Sequence, residues 1–234
     1  MIKNSILLCT YNEEKYIEHT ILSLQKSINN LEIIIVDDNS TDKTLATIDS
    51  LKSKYNLKVI KRSKSKGLGS AFNRAVIESN GENIGWIDTN MGELAILFPR
   101  MIELLKEHDL ILLSRYVQGG SDERIPIRVN CSKLINFFCR IILSNKIKDY
   151  TSSIFIMKRS VLNETTILGY GHGDFFIEFL YDVLKKGFSI KEIPYKQKKD
   201  EIGANTTTSP NLLRFFILGF FYFFRVIITR FRRN

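Results

Sequence analysis

Glu32-Ile33-Ile34-Ile35-Val36-Asp37-Asp38-Asn39-Ser40-Thr41-Asp42 sets an unbroken apolar run directly against a cluster of acidic and hydroxyl side chains. A run that is apolar at every position, without alternation, is the pattern of a strand buried on both faces, as in parallel sheets covered by helices. Its polar continuation then falls at the C-terminal end of the strand, where open α/β sheets bind ligands. The chain makes the same move twice more: Ser5 to Cys9 runs into Thr10-Tyr11-Asn12-Glu13-Glu14, and Ile84 to Ile87 runs into Asp88-Thr89-Asn90. Three strand ends are thus expected to converge on one acidic rim.

Outward from these runs, the first 115 residues alternate apolar strand segments near 5–9, 32–36, 57–61, 84–88 and 110–114 with helix-period segments near 13–28, 42–54, 69–80 and 96–107. Such alternation predicts βαβ units and a parallel sheet. Thr41 or Asp42 is the expected N-cap of the second helix, and Gly81 the expected stop of the third. The second half is less regular, with helices near 128–144 and 174–186 and strands near 153–158 and 188–195. Residues 196–210 are polar and rich in Lys, Thr and Asn, which predicts a loop, and Phe215 to Phe224 is a ten-residue apolar stretch. The expected division is a catalytic-size domain over 1–210 and a C-terminal helix over 211–234.

A chain of 234 residues with 44% apolar content can bury a full core. Its formal charge is +9, but residues 191–234 hold nine Lys/Arg against three Asp/Glu, so most of the excess lies in the last segment. Basic charge fits phosphates, nucleic acid or an anionic membrane, and here the neighbours are phenylalanines. Nucleic acid is disfavoured, because the basic residues interleave with unbroken aromatics rather than spaced ones on a sheet or groove. Cys9, Cys131 and Cys139 lack metal-binding spacing, which predicts reduced thiols and a cytosolic face. Met1-Ile2-Lys3-Asn4 leads straight into a strand, so no signal peptide is expected.

Taken alone, each motif keeps a plain alternative. The acidic run after Val36 could be a solvated loop capping a helix, and Gly67-Leu68-Gly69 could be an ordinary turn into a helix. The basic stretch Lys61-Arg62-Ser63-Lys64-Ser65-Lys66 could be a solvated face.

In order and spacing together, Thr10-Tyr11-Asn12-Glu13, Val36 to Asp42, Gly67 to Phe72, Ile87-Asp88-Thr89-Asn90, Ser114 to Gly120, Asp149-Tyr150-Thr151-Ser152 and Gly203-Ala204-Asn205 resemble the inverting glycosyltransferases of family 2. Within that family they resemble the dolichyl- or polyprenyl-phosphate sugar synthases, over roughly residues 4–205. The resemblance implies an α/β fold of GT-A-like (Rossmann-like) type, a mostly parallel sheet flanked by helices. It implies a nucleoside-diphosphate sugar donor, GDP- or UDP-linked, and a polyprenyl phosphate acceptor.

The resemblance assigns base and ribose contacts to Glu13 and Asp38, with Thr10, Tyr11 and Val36 lining the base and Gly67 near the nucleotide. Acceptor oxygens on adjacent loops suit the base N–H groups and ribose hydroxyls. Asp88 and Asn90 stand where the family has two carboxylates for Mg²⁺ or Mn²⁺, hard cations that prefer oxygen ligands. An amide in the second place contributes one less negative charge, and Glu93 is a candidate substitute ligand. Arg115 and Arg128 are assigned to the donor and acceptor phosphates, where guanidinium forks suit bidentate binding. Ser132, Ser152, Lys199 and Asn205 fall at acceptor-side positions, though Tyr150 and Ser153 replace the family's usual proline and glycine there. Asp174 and Glu178 share a helix face, and in members with protein acceptors a carboxylate in this region acts as base.

Leu212 to Phe231 would rise about 30 Å as a helix but contains Arg214, Arg225 and Arg230, which makes a membrane span unfavourable. On a helical wheel Arg214, Arg225 and Arg232 fall on one side. An interfacial helix is expected, with aromatics at the acyl boundary and arginines at anionic headgroups. Docking on the catalytic domain or on a membrane partner subunit is the alternative. The expected function is inverting, metal-assisted sugar transfer to a polyprenyl phosphate at the cytoplasmic face of a membrane. The alternatives are transfer to a glycan or another lipid, which would need a base such as Asp174, and a weakened nucleotide-sugar-binding or scaffold subunit.

Overall fold

The computed structural model describes residues 3–63, 67–165, 167, 171, 173–199 and 212–232, without the side chains of 212–216 and 218. Of the loop expected over 196–210, Lys196–Gln197 form a short strand, and residues 200–210, Asn205 among them, lie outside the described residues. Alternation of strands and helices runs as expected through β1 (Asn4–Thr10), α1 (Ile17–Ser27), β2 (Leu31–Asp37), α2 (Thr44–Leu51), β3 (Leu57–Lys61), α3 (Leu68–Glu78) and β4 (Asn83–Trp86). A 3₁₀ segment (Thr89–Leu97) then leads into α4 (Phe98–Leu104) and β5 (Leu110–Ser114). The second half adds β6 (Ser121–Asp122), α5 (Pro126–Ile142), β7 (Phe155–Lys158), α6 (Val161–Glu164), α7 (Phe175–Lys185), β8 (Ile190–Pro194), β9 (Lys196–Gln197) and α8 (Leu212–Phe231).

Seven strands form one sheet in the order β3-β2-β1-β4-β7-β5-β8, parallel except for β7, which runs antiparallel to both β4 and β5. The apolar runs are buried on both faces because successive side chains alternate. Leu7, Ile34 and Val36 enter the core under α3, α5 and α7, while Ile6, Leu8, Ile33 and Ile35 enter the core under α1, α2 and α4. Strand order reverses at β1, which has β2 on one side and β4 on the other. At such a switch point the loops leaving the two strands part and leave a crevice. Here those loops are the ones carrying Glu13 and Asp88.

Two local expectations are corrected. The helix after β2 begins at Thr44, and the Asp42 carboxylate caps it from outside by accepting from the Thr44 N–H at 3.0 Å. The helix α3 ends at Glu78, so Gly81 is not its stop. A Cβ on Gly81 would lie 2.6 Å from the Ser5 nitrogen, so this glycine is required by the close approach of the β4 entry to β1.

Candidate active site at the strand ends

Hydrogen bonds lace the loops after β1 and β2 into one surface. Asp38 N–H donates to the Thr10 carbonyl at 2.9 Å, Glu13 N–H to Thr44 Oγ1 at 2.8 Å, and Thr41 N–H to Asn12 Oδ1 at 2.9 Å. Asn12 and Asn39 adopt left-handed backbone (φ 56° and 67°), which Asn tolerates better than most residues. Tyr11 stands exposed on this surface, while Glu13 is half-buried. Burial, Asp88 and Asp42 push the Glu13 carboxyl up to about 7, in keeping with the acids' positions after the neighbouring strands β1, β2 and β4. Cys9 lies on β1, between β2 and β4, and burial, Asp38 and Asp88 push its thiol upward. The three acidic strand ends share one rim.

Asp38 is nearly buried and is held by Arg62, whose Nη1 also donates to Ser70 Oγ at 2.7 Å and whose Nη2 donates to the Gly67 carbonyl at 3.1 Å. Arg62 therefore ties β2, the loop after β3 and the start of α3 together. It is a site residue that its place in a basic run concealed. Gly67 sits at φ +83°, a conformation that penalises any Cβ even though open space surrounds it.

Asp88 is oriented at both oxygens. Trp86 Nε1 donates to Oδ1 at 3.2 Å and Ser153 Oγ donates to Oδ2 at 2.7 Å. Asn90 is exposed two residues on. Gly92 is required by packing, because a Cβ there would lie 2.8 Å from Thr20 Cα and keep the 3₁₀ segment off α1. Glu93 reaches Lys198 Nζ at 3.2 Å, so it is paired with the basic segment. Gln197 Nε2 approaches the Met91 sulfur at 3.6 Å, which lays residues 197 and 198 against the stretch following Asp88. Lys199 is the next residue and is exposed.

Arg115 leaves β5 into a closed network rather than toward the open rim. It is 4% exposed, grips Asp149 bidentately (Nε to Oδ2 2.8 Å, Nη2 to Oδ1 2.7 Å), and donates from Nη2 to Thr151 Oγ1 at 2.7 Å. Ser132 Oγ meets Thr151 Oγ1 at 3.0 Å, and Asn136 Nδ2 donates to the same oxygen at 2.8 Å. Asn136, also missed in the sequence, fixes the turn from α5 by accepting the Tyr150 N–H at 2.6 Å. Arg128 lies in the first turn of α5, one turn before Ser132. Thr10, Ser152 and Val36 are enclosed, and Val36 is wholly inside the core, so its side chain is not brought to the rim.

The helix α8 packs on α5 and α7, with Phe223 meeting Phe138 edge-on at 4.9 Å. Two of the arginines expected at headgroups, Arg225 and Arg232, pair with acids of the catalytic domain instead, and the side chain of Arg214 lies outside the described residues. Arg225 is 9% exposed and binds Asp174 Oδ2 at 2.9 Å and Glu178 Oε2 at 3.3 Å, while Arg232 binds Glu178 Oε1 at 2.7 Å. Asp174, the candidate base, is thus committed to a buried ion pair. The opposite face of α8 exposes Phe220, Phe221, Phe224 and Phe231. Among the described residues no helix is long and apolar enough to cross a membrane.

A mostly parallel sheet with acidic strand ends gathered at its switch point defines the GT-A class of α/β fold. Glucosyl-3-phosphoglycerate synthase from Mycobacterium tuberculosis in complex with UDP shares this fold, with a TM-score of 0.76 at 16% identity over 99% of this chain and 81% of that one. The same synthase with Mn²⁺, UDP and glucosyl-3-phosphoglycerate aligns with a TM-score of 0.73 at 18% identity, over 97% of this chain and 79% of that one.

The chain belongs to glycosyl transferase family 2, whose profile matches residues 5–166. It is similar to the dolichol-phosphate mannosyltransferase of Pyrococcus furiosus, 33% identical over 202 residues, and covers 83% of this chain but 56% of that protein. It is also 24% identical over 216 residues to the polyprenol monophosphomannose synthase of Mycolicibacterium smegmatis, over 88% of this chain and 82% of that protein.

Proposed function

We propose that this protein transfers a hexose from a nucleoside-diphosphate sugar to a polyprenyl phosphate, with inversion, at a membrane surface facing the cytoplasm. The bond from Ser153 to Asp88 carries the proposal: it joins the donor-side rim to the turn that Arg115, Ser132 and Asn136 hold on the other side. A donor seated on Glu13, Asp38 and Asp88 would present its sugar toward that turn. The named relatives act on dolichol or polyprenol phosphates and support the same acceptor class.

In the reaction an oxygen of the acceptor phosphate forms a bond to C1 of the sugar from the face opposite the diphosphate. The C1–O bond to the nucleoside diphosphate breaks, and the departing oxygen keeps the electron pair. A phosphate monoester has a second pKa of about 6, so it is already a nucleophile near neutral pH and no side chain has to remove a proton. Asp174 is then dispensable as a base, in keeping with its pairing to Arg225. The sequence-based role of Arg115 changes from phosphate ligand to positioning residue, because Asp149 and Thr151 occupy its guanidinium. Arg128, Lys198 and Lys199 are the proposed positive charges for the phosphates, with Ser132 and Ser152 in the turn beside the acceptor.

A divalent cation fits the rim. Glu13 is pushed up to about 7 partly by Asp88 and Asp42, which marks a local excess of negative charge. Asp88 and Asn90 would hold Mg²⁺ or Mn²⁺ by their oxygens. Among the described residues no three His, Cys, Asp or Glu side chains cluster to hold a metal unaided, so diphosphate and water would complete its shell. When bound, the ion would offset the charge of the departing diphosphate.

Incubating the purified protein with labelled GDP- and UDP-hexoses, Mg²⁺ and polyprenyl phosphate should yield a lipid-linked sugar from one donor. Donor binding without product across Mg²⁺ and Mn²⁺ titrations would refute the transfer.

A further inference from the structure

The outward face of α5 carries Asn130, Lys133, Leu134, Phe137 and Arg140 at helical spacing, with the buried Asn136 lining the cleft beneath them and Cys139 in the core. Between this face, Tyr116 and Lys148 lies an open cleft of about 470 Å³. Three cations line it, Lys133, Arg140 and Lys148, and α5 contains no Asp or Glu. Among the described residues none of the three is ion-paired. The Lys148 ammonium bonds to the Asn145 carbonyl and side-chain oxygens at 3.0 and 2.9 Å, and the Nε of Arg140 is buried without a hydrogen-bond partner.

The acids nearby are spent elsewhere. Glu192 accepts the backbone N–H groups of Lys148 and Asp149, at 2.7 and 2.9 Å. Asp122 is bound by Arg124 at 2.7 Å and accepts the Tyr116 hydroxyl at 3.2 Å. Asp149 is gripped by Arg115. The cleft has donors in excess and no anion of its own, and guanidinium and ammonium groups around a concave site suit a phosphate.

We propose that this cleft binds the phosphate of an anionic membrane phospholipid, beside the proposed acceptor turn. Its rim argues for a lipid over a free anion. Leu134, Phe137 and Ile141 are 54%, 48% and 65% exposed beside the charges, and the Phe138–Phe223 contact continues this apolar surface into the exposed phenylalanines of α8. Cations with neighbouring apolar side chains match headgroup phosphates above an acyl layer. Asn136 also lines the cleft and donates to Thr151 Oγ1 at 2.8 Å, so the cleft borders the proposed acceptor turn, and the experiment has to separate the two lipids. The inference rests on the membrane-surface part of the proposed function and is independent of the sugar transfer.

Sedimentation of the full chain with vesicles of phosphatidylcholine, with and without about 30% phosphatidylglycerol, tests it. The double variant Lys133→Gln/Arg140→Gln should lose about tenfold or more in partitioning onto the anionic vesicles. Partitioning onto neutral vesicles should be unchanged, as should the circular dichroism spectrum. The control pair Lys52→Gln/Lys54→Gln, on exposed positions after α2, should bind as wild type. Equal loss in both pairs would mean diffuse electrostatics and would overturn the cleft. Retention of binding by the Lys133/Arg140 variant would overturn it too. Displacement by millimolar inorganic phosphate at constant ionic strength would make it a soluble-anion site, and recruitment by polyprenyl phosphate but not phosphatidylglycerol would make it an acceptor site. Either result defeats the phospholipid assignment.

Discussion

Ser153 Oγ donates to Asp88 Oδ2 at 2.7 Å, a bond across 65 positions of sequence that locks the acid after β4 to the turn between α5 and β7. With Trp86 holding Oδ1, the Ser153 bond fixes the other oxygen of Asp88 and joins the proposed donor rim directly to the proposed acceptor turn.

Ser153→Ala should lower kcat/KM about tenfold, the loss of one hydrogen bond to a charged group. Thermal stability should barely change, because Asp88 keeps the Trp86 indole bond and reaches solvent. Steady-state kinetics beside a melting curve separates the two effects.

Asn90→Asp adds a second carboxylate beside Asp88. The Mg²⁺ concentration for half-maximal transfer should fall several-fold, and an unchanged titration would remove Asn90 from the metal set.

Glu13 gives a pH signature. Its folded-state pKa is raised from 4.5 to about 7, so the folded protein keeps a proton that the unfolded chain has already lost. Stability therefore falls as pH rises from about 4.5 to about 7 and stays reduced above. Glu13→Gln should be more stable than wild type by about 1–2 kcal/mol at pH 8, allowing for solvent screening of a half-buried group, and should match it below pH 4.5. Urea unfolding in chelator at both pH values measures the difference.

Arg225→Met should cost about 3–5 kcal/mol, since it leaves Asp174 and Glu178 buried against α8 without their shared cation. Chemical denaturation reads the loss directly.

Because α8 buries Val226 and Arg225 against α5 and α7, deleting residues 211–234 would expose core as well as remove any anchor. The cleaner change is Phe220→Ser/Phe221→Ser/Phe224→Ser, confined to the outer face. Binding to neutral vesicles should drop at least tenfold with little change in melting temperature. Undiminished co-sedimentation would exclude this face as the membrane contact.

The sheet was legible because strands buried on both sides must be apolar at every position, and the segments 31–37 and 4–10 satisfy that locally. Acidic residues at the ends of β1, β2 and β4 were legible for the same reason, since a chain leaving a buried strand must meet water again. What local pattern could not carry is pairing. Arg62 read as one charge in a basic run, and only the packing of β2 beside β3 hands it to Asp38. Arg115 read as a phosphate ligand until Asp149, 34 residues later, claimed its guanidinium.

Helical periodicity likewise put Arg214, Arg225 and Arg232 on one side without saying what that side meets. A wheel drawn from one segment is blind to its neighbours: Asp174 and Glu178 claimed Arg225 and Arg232, leaving Phe220, Phe221, Phe224 and Phe231 exposed. Strand burial and the acidic rim follow from short-range solvation of the chain, which a sequence states directly. The partner of each buried charge is set by long-range packing, which exists only once the sheet and its covering helices have come together.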